Sequence, residues 1–557
     1  MSTMQEYIVN NGRIFTGDSE RPFVDAFAVS NGRIGALGSL DEVQASLRGE
    51  PEMIDLAGSF AMPGLVDVHA HLGLGGRQLA FELPVLPRDD VAEIAVKVRN
   101  WSKNLAPGKW VVGGIVGSTV MDDLTHIDLA TLDEAADGHP VLLRDDTMHN
   151  RWVNSAALEI LSIDETSHAP EGGSYVRDRD GRLNGVLTEL ACGPAEAAVM
   201  DTVVDVADFH AQAFTTAVKT LNSYGITAVQ ESATMDYALR TLHDIDEAGE
   251  LTAHVVASMP SRPFLEEGIN GEKLYDVREQ NHSNHVHPTF AKYILDGVPM
   301  TRTAALIHQY RCNHPGDDPN FTGKPLWDAD ELTSSLLALV DRGLNAKLHA
   351  TGDGAVRMIL DAVEEVRKRR GWKARFHIAH VEFVHDDDLN RFTELGVVPD
   401  ASPYLWFPSV MQESMKKQVP AETFDRSWPL RRLVESGATV SGGSDWPCAA
   451  PTPDPWTGLA TLVTRANPDP TVTGQLNSDE ALTIDQAIAA FTRNPAEAMS
   501  LGDETGMLRS GMSADFIVLD RNLFTVDPAT IHETTVCRTY FEGRLVYEAD
   551  GWSRERL

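Results

Sequence analysis

The chain is poor in cysteine and in positive charge, and it has no long apolar run. Four cysteines, Cys192, Cys312, Cys448 and Cys537, are scattered over 557 residues with no CxxC pair. That spacing argues against a disulfide framework, a thiol redox pair and a zinc knuckle. No stretch approaches the about 20 apolar residues of a membrane helix. The start, Met1-Ser2-Thr3-Met4-Gln5-Glu6-Tyr7, lacks the basic-then-apolar pattern of a secretory signal. The expectation is a cytoplasmic protein that does not contact a membrane. Lysine and arginine number 47 against 82 acidic residues, a formal charge of −35. Such a surface repels phosphate backbones and anionic lipid, so nucleic acid is not an expected partner. The densest basic run, Arg367-Lys368-Arg369-Arg370, closes a helical pattern and reads as a solvated face.

What is present is an α/β pattern on a large scale. Apolar residues make up 42% of the chain, enough for a substantial core. Its length suits one large barrel plus a smaller domain. Strand-like apolar runs lie at 64–68, 227–230, 253–257, 290–295, 344–348, 375–379, 397–400 and 439–443. Eight is the number of a closed (β/α)8 barrel. Helical patterns separate several of them. The clearest, over 355–369, places Val356, Ile359, Leu360, Val363 and Val366 at helical spacing. Thr483 and Gln486 have the spacing of a capping box.

The chain ends differ from this middle. Short strands flank Asn11-Gly12 and Asn31-Gly32, strong hairpin signals, and residues 514–520 and 536–546 repeat that texture. Strands this short need partners. One composite β-sandwich, built from 1–62 and 501–557 around a barrel spanning 63–500, is the economical arrangement; two separate β caps are the alternative. Between the first two barrel strands, residues 75–220 carry a further strand at 141–143 and glycine turns. They read as an insertion over the active-site end.

The first barrel strand carries the strongest chemical signal. In Pro63-Gly64-Leu65-Val66-Asp67-Val68-His69-Ala70-His71, alternation puts both histidines on one face. Two imidazoles at a strand end suit zinc and similar ions. Asp67 shares that face, either orienting a ligand imidazole or making a structural hydrogen bond. Lys292 sits in the apolar run Phe290-Ala291-Lys292-Tyr293-Ile294-Leu295. A lysine there needs a partner, either an acid such as Asp296 or a carboxyl group added to its amine. His349 and His380 each close a strand-like run, whereas His377 is odd in register with His380 and reads as structural. Asp445 follows the last run, where its carboxylate suits a metal and its water, or a turn hydrogen bond.

These motifs, taken in order, resemble the amidohydrolase superfamily, specifically the YtcJ-like metal-dependent hydrolases and N-substituted formamide deformylases. The matching stretches include Pro63 to His71, Asp296-Gly297, His349-Ala350-Thr351-Gly352-Asp353, Gly443-Ser444-Asp445, Thr492-Arg493-Asn494-Pro495-Ala496 and Gly511 to Leu519. The resemblance implies metal ligation by His69, His71, Lys292, His349, His380 and Asp445. Lys292 would be carboxylated and would bridge two ions, most simply Zn2+, with Mn2+, Fe2+ or Co2+ as alternatives. It also implies a substrate role for His149, within Met148-His149-Asn150-Arg151-Trp152-Val153-Asn154-Ser155, and a homodimer. The chain departs from the pattern at Ala379, where glutamate is usual, and at Met148, where glycine is usual.

The expected activity is hydrolysis of an amide-like C–N bond in a small organic molecule by metal-activated water, with Asp445 as general base and acid. Attack on an ester, lactone or cyclic amide, or deamination, would use the same water. A regulatory protein on a silent scaffold is the rival outside enzymes. Arg302 reads either as a substrate contact or as the partner of a structural carboxylate. Trp406, Phe407 and Trp446 follow strand ends; they form either a slot for an aromatic or alkyl substituent or packing beneath the mouth.

Overall fold

The computed structural model describes residues 6–170, 172–263, 268–312, 318–402, 404–448 and 450–550. Its centre is a parallel eight-stranded sheet: β1 (Leu65–Ala70), β2 (Ile226–Glu231), β3 (His254–Pro260), β4 (Val286–Ile294), β5 (Asn345–Ala350), β6 (Phe376–His380), β7 (Val397–Ala401) and β8 (Ser441–Gly442). Spatial order follows chain order from β1 to β8. All eight coincide with the apolar runs of the sequence. The runs lack polar alternation because helices cover the outer face and side chains fill the inner one. Beyond β8 the barrel is closed by main-chain bonds from Asp445 N–H to His69 O (2.7 Å) and from His71 N–H to Trp446 O (2.8 Å).

Helices return the chain between strands. Ala329–Asp341, capped by Asp328, leads into β5, and Asp353–Arg370 leads from β5 to β6. In the latter Val356, Ile359, Leu360, Val363 and Val366 are buried, while its last turn carries the four basic residues. Cations there complement the helix dipole. The Thr483–Gln486 capping box forms as its spacing predicts.

Both chain ends enter a single eight-stranded sheet. Phe60–Pro63 pairs antiparallel with Phe516–Leu519, joining the N-terminal strands to Val536–Phe541 and Arg544–Glu548. This is the composite sandwich rather than two separate caps. Between β1 and β2 lies a third sheet of six strands, with its own apolar core around Val98, Val111, Leu143 and Trp152. Its strand Val141–Asp145 ends in the segment Asp146-Thr147-Met148-His149, which reaches the barrel mouth.

Candidate metal centre

The donors gather because each leaves the C-terminal end of a barrel strand. His69 is on β1 and His71 caps the helix Leu72–Phe81 that follows; Lys292, His349 and His380 are on β4, β5 and β6, and Asp445 lies just past β8. Donor atoms of His69, His71 and Asp445 all lie within 4.8 Å of one another. Asp445 Oδ1 is 3.2 Å from His71 Nε2 and 3.4 Å from His69 Nε2. Lys292 Nζ is 3.2 Å from His69 Nε2. The His380 ring lies 5.0 Å from that of His69 and 4.4 Å from that of His349, centroid to centroid. Gly443 permits this convergence: a Cβ there would stand 2.8 Å from the backbone nitrogen of His69.

The donor set fits a divalent cation. Burial, then the neighbouring Lys292, holds His69 and His349 well below the usual imidazole range, and burial does the same to His380. All three are therefore neutral, the form that ligates. Nε2 of His380 is buried without a hydrogen-bond partner among the described residues, and so is Oδ1 of Asp445 despite its histidine neighbours. Orphaned buried donors of this kind need an explanation, and a cation supplies one.

Behind these groups lies a polar layer that sequence reasoning did not pick out. Asp400 Oδ2 lies 3.0 Å from His69 Nδ1, and the Nζ of buried Lys347 contacts the same carboxylate while donating to Val68 O (2.7 Å). Ser402 Oγ donates to Asp400 Oδ1 (2.8 Å). A carboxylate on Nδ1 sets the tautomer and leaves Nε2 facing the centre. His380 is oriented likewise through Nδ1 and the carbonyl of Ser402. The only available signal was the position of Asp400 at the end of the seventh apolar run. Asp67 takes the structural option, accepting from His69 N–H (2.9 Å) and from the Ser444 hydroxyl (2.6 Å) to tie β1 to the segment after β8. His377, facing away, contacts Ala498 O at 3.0 Å.

Lys292 does not pair with Asp296. That aspartate instead accepts backbone N–H groups of Ala305 (2.9 Å), Thr351 (3.1 Å) and Gly352 (2.9 Å). Burial, reinforced by Lys347, lowers the Lys292 ammonium to about 8.

His149 lines the same cavity from the insertion. Its Nδ1 is 2.8 Å from Glu189 Oε2. Burial opposes its charge, but Glu189 more than offsets that and raises the imidazole above its usual range. Arg302 does not reach the donor cluster. It lines an adjoining cavity shared with His149, Glu189 and Lys292, near the rings of Tyr310 (5.6 Å) and Phe321 (5.4 Å).

Trp446 and Trp406 do not line an aromatic slot. Trp446 is fully buried against the helix Leu72–Phe81 and donates from Nε1 to Pro451 O (3.2 Å). Trp406 is also buried, with Nε1 bound to Thr461 Oγ1 (2.8 Å). Their indoles fill the layer beneath the mouth because each finds an apolar seat and a single acceptor there. The apolar part of the cavity wall is aliphatic instead: Leu74, Met148, Ile294, Met300, Leu405 and Met411. Two further acids line the cavity, Asp146 and Glu382; burial and the neighbouring Asp296 and Asp445 hold Glu382 well above the usual carboxyl range.

Comparison with known proteins agrees with this geometry. The profile of the amidohydrolase family matches residues 52–547. The N-substituted formamide deformylase of Arthrobacter pascens is 26% identical over 99% of this chain and all of that protein. YtcJ of Bacillus subtilis, described as an amidohydrolase, is 26% identical over 97% of this chain and 99% of its own. The fold matches that of an uncharacterized metal-dependent hydrolase from Pyrococcus horikoshii with a TM-score of 0.73 at 23% identity, over 94% of this chain and 99% of that one.

Proposed function

Because the chain belongs to the amidohydrolase family, we propose that it hydrolyses an amide-like C–N bond in a small, largely apolar organic substrate. The observation that carries this reading is the convergence of His69, His71 and Asp445 donor atoms within 4.8 Å at the barrel mouth, with Lys292, His349 and His380 around them. A divalent cation bound there, zinc on the chemistry of the donors with manganese, iron or cobalt as substitutes, supplies Lewis acidity and acidifies a water molecule. Lys292, once carboxylated, would supply oxygen donors to a second ion beside the first. Its low ammonium pKa of about 8 makes the neutral amine accessible. Its nitrogen bonds the carbon of CO2 and releases a proton, which leaves an anionic carbamate with two donor oxygens.

The protein's own groups divide the remaining work. Asp445 accepts a proton from the attacking water and returns it to the departing nitrogen. His149, held through Nδ1 by Glu189, presents its other N–H to the carbonyl oxygen as negative charge develops. The aliphatic walls receive the substituent and exclude bulk water. The deformylase name of the Arthrobacter relative supports an amide over an ester.

The test is a substrate panel of N-substituted formamides, anilides, 4-nitrophenyl esters and lactones. Each is assayed before and after a strong chelator, and again after adding back Zn2+, Mn2+ or Co2+. Amide turnover that disappears on chelation and returns with metal is expected. Full activity in metal-free protein, or turnover of esters and lactones with none of any amide, would overturn the reading.

A further inference from the structure

Glu382 leaves the barrel two residues after His380 and is only 2 % exposed. Its side chain lines the catalytic cavity beside Val298, His349 and Met411. Its Oε2 is buried with no hydrogen-bond partner among the described residues. Among the described residues no lysine or arginine pairs with it, and the charged groups it faces are the carboxylates of Asp296 and Asp445. The backbone on either side is fixed. The carbonyl of Glu382 accepts from Trp428 N–H (2.8 Å), and Phe383 N–H donates to Thr351 O (3.1 Å).

An acid in this position is costly. Buried polar oxygens are nearly always satisfied, and leaving one unmade forfeits its hydration. Here the oxygen does not cap a helix or close a turn, and no cationic side chain meets it among the described residues. It faces a cavity that joins aliphatic walls to the histidines, Lys292 and Asp445 of the donor cluster, and among the described residues none of that lining donates to this oxygen. What is missing is a hydrogen-bond partner, and the ligand is what enters that space.

We propose that Glu382 is a specificity-determining residue that accepts a hydrogen bond from an N–H of the substrate. It thereby selects secondary amides over tertiary amides and esters. This rests on the amide reading above, since it assigns the substrate class of the same cavity. An ester or an N-alkylated amide would leave the carboxyl oxygen unpaired in the complex, and sites built around a hydrogen bond reject analogues that cannot make it.

The experiment is calorimetric titration of the zinc-loaded protein with N-benzylacetamide and N-benzyl-N-methylacetamide, with metal content measured on each sample. The wild-type protein is expected to bind the secondary amide about tenfold or more tightly, the worth of one buried hydrogen bond. Glu382→Met should bring that ratio close to one. Glu382→Gln, whose amide oxygen still accepts, should retain most of it. Metal content should be equal in all three. Glu382→Ala, which removes the same oxygen with less crowding, replaces Glu382→Met if that variant does not fold. A wild-type ratio near one, absence of binding by either compound, a preserved ratio in the variant lacking the oxygen, or loss of metal from the variants would each overturn the proposal. Binding heats are taken with each protein in the Asp445→Asn background, which is expected to bind metal without turning the amide over. Selective binding with no amide hydrolysis therefore sinks only the functional reading, and amide hydrolysis without selective binding sinks only the role of Glu382.

Discussion

The backbone N–H of Asp445 donates to the carbonyl of His69 over 2.7 Å. The residue proposed as general base is thus fastened to β1, which carries His69 and leads into His71, by main chain, not by its carboxylate. The same bond closes the barrel between β1 and the segment after β8. The placement of Asp445 and barrel closure are one feature, and the bond that makes it leaves the Asp445 side chain uninvolved.

Asp445→Asn should therefore fold and bind metal yet lose most hydrolysis. Asp445 has φ +53°, a left-handed conformation that asparagine tolerates about as well as aspartate. Its amide cannot take the water proton. Loss of a general base costs about 10²–10⁴-fold. The measurement is turnover alongside metal content and melting temperature. A fully loaded variant with near wild-type turnover would transfer the role of base to another group at the mouth.

Lys292→Ala should reduce bound metal from two ions to one and depress turnover with it. Short carboxylic acids such as formate or acetate should restore part of both by supplying the missing bridge. Elemental analysis across a titration of the acid reads this directly. Two ions retained in the alanine variant would remove Lys292 as a ligand.

Trp446 should behave as a packing residue. A Cβ on Gly75 would stand 2.5 Å from its indole ring, so helix and tryptophan meet at the closest approach glycine allows. Trp446→Ala is expected to cost about 3–5 kcal/mol of stability through the cavity it leaves. Gly75→Ala should destabilise by overpacking the same contact. Both should lower rates on bulky and compact amides in parallel. A Trp446 variant of unchanged stability with a shifted substrate preference would put the indole back into the pocket.

His285 should make stability fall with rising pH. Its Nδ1 is 2.6 Å from Asp246 Oδ1 and its Nε2 is 3.2 Å from Glu542 Oε1, so it joins the barrel to the composite sheet. Burial opposes the charged ring, but bonds to Asp246 and Glu542 outweigh it and raise the imidazole to about 9. A folded pKa above the unfolded value of about 6.5 means the contribution is complete below pH 6.5 and is lost as pH rises through 9. Denaturant unfolding at pH 6 and pH 9.5 should show wild type losing about 1.5–3 kcal/mol, the worth of a charged hydrogen bond, relative to His285→Gln. An equal pH dependence in both proteins would contradict the pairing.

The local pattern of the chain carried the architecture. A barrel strand is buried on both faces, so its apolar run is visible without knowledge of its neighbours, and all eight runs were legible on that ground. The capping box at Thr483 and Gln486 and the shared face of His69 and His71 follow from spacing alone, because helical and strand periods are properties of contiguous residues. Side-chain direction beyond the strand ends is not such a property. Asp400 meets Lys347 across 53 residues and His69 across 331, and Glu189 reaches His149 from another strand of the insertion. The first two pairings exist only once the parallel barrel strands are in register, and the third only once the antiparallel strands of the insertion are paired. Trp446 and Trp406 stand beside mouth residues in sequence, yet they turn into the packing layer because helices and loops distant in sequence provide their seats. The unpaired oxygen of Glu382 is legible only in three dimensions, since a missing partner is a fact about every element that could have supplied one.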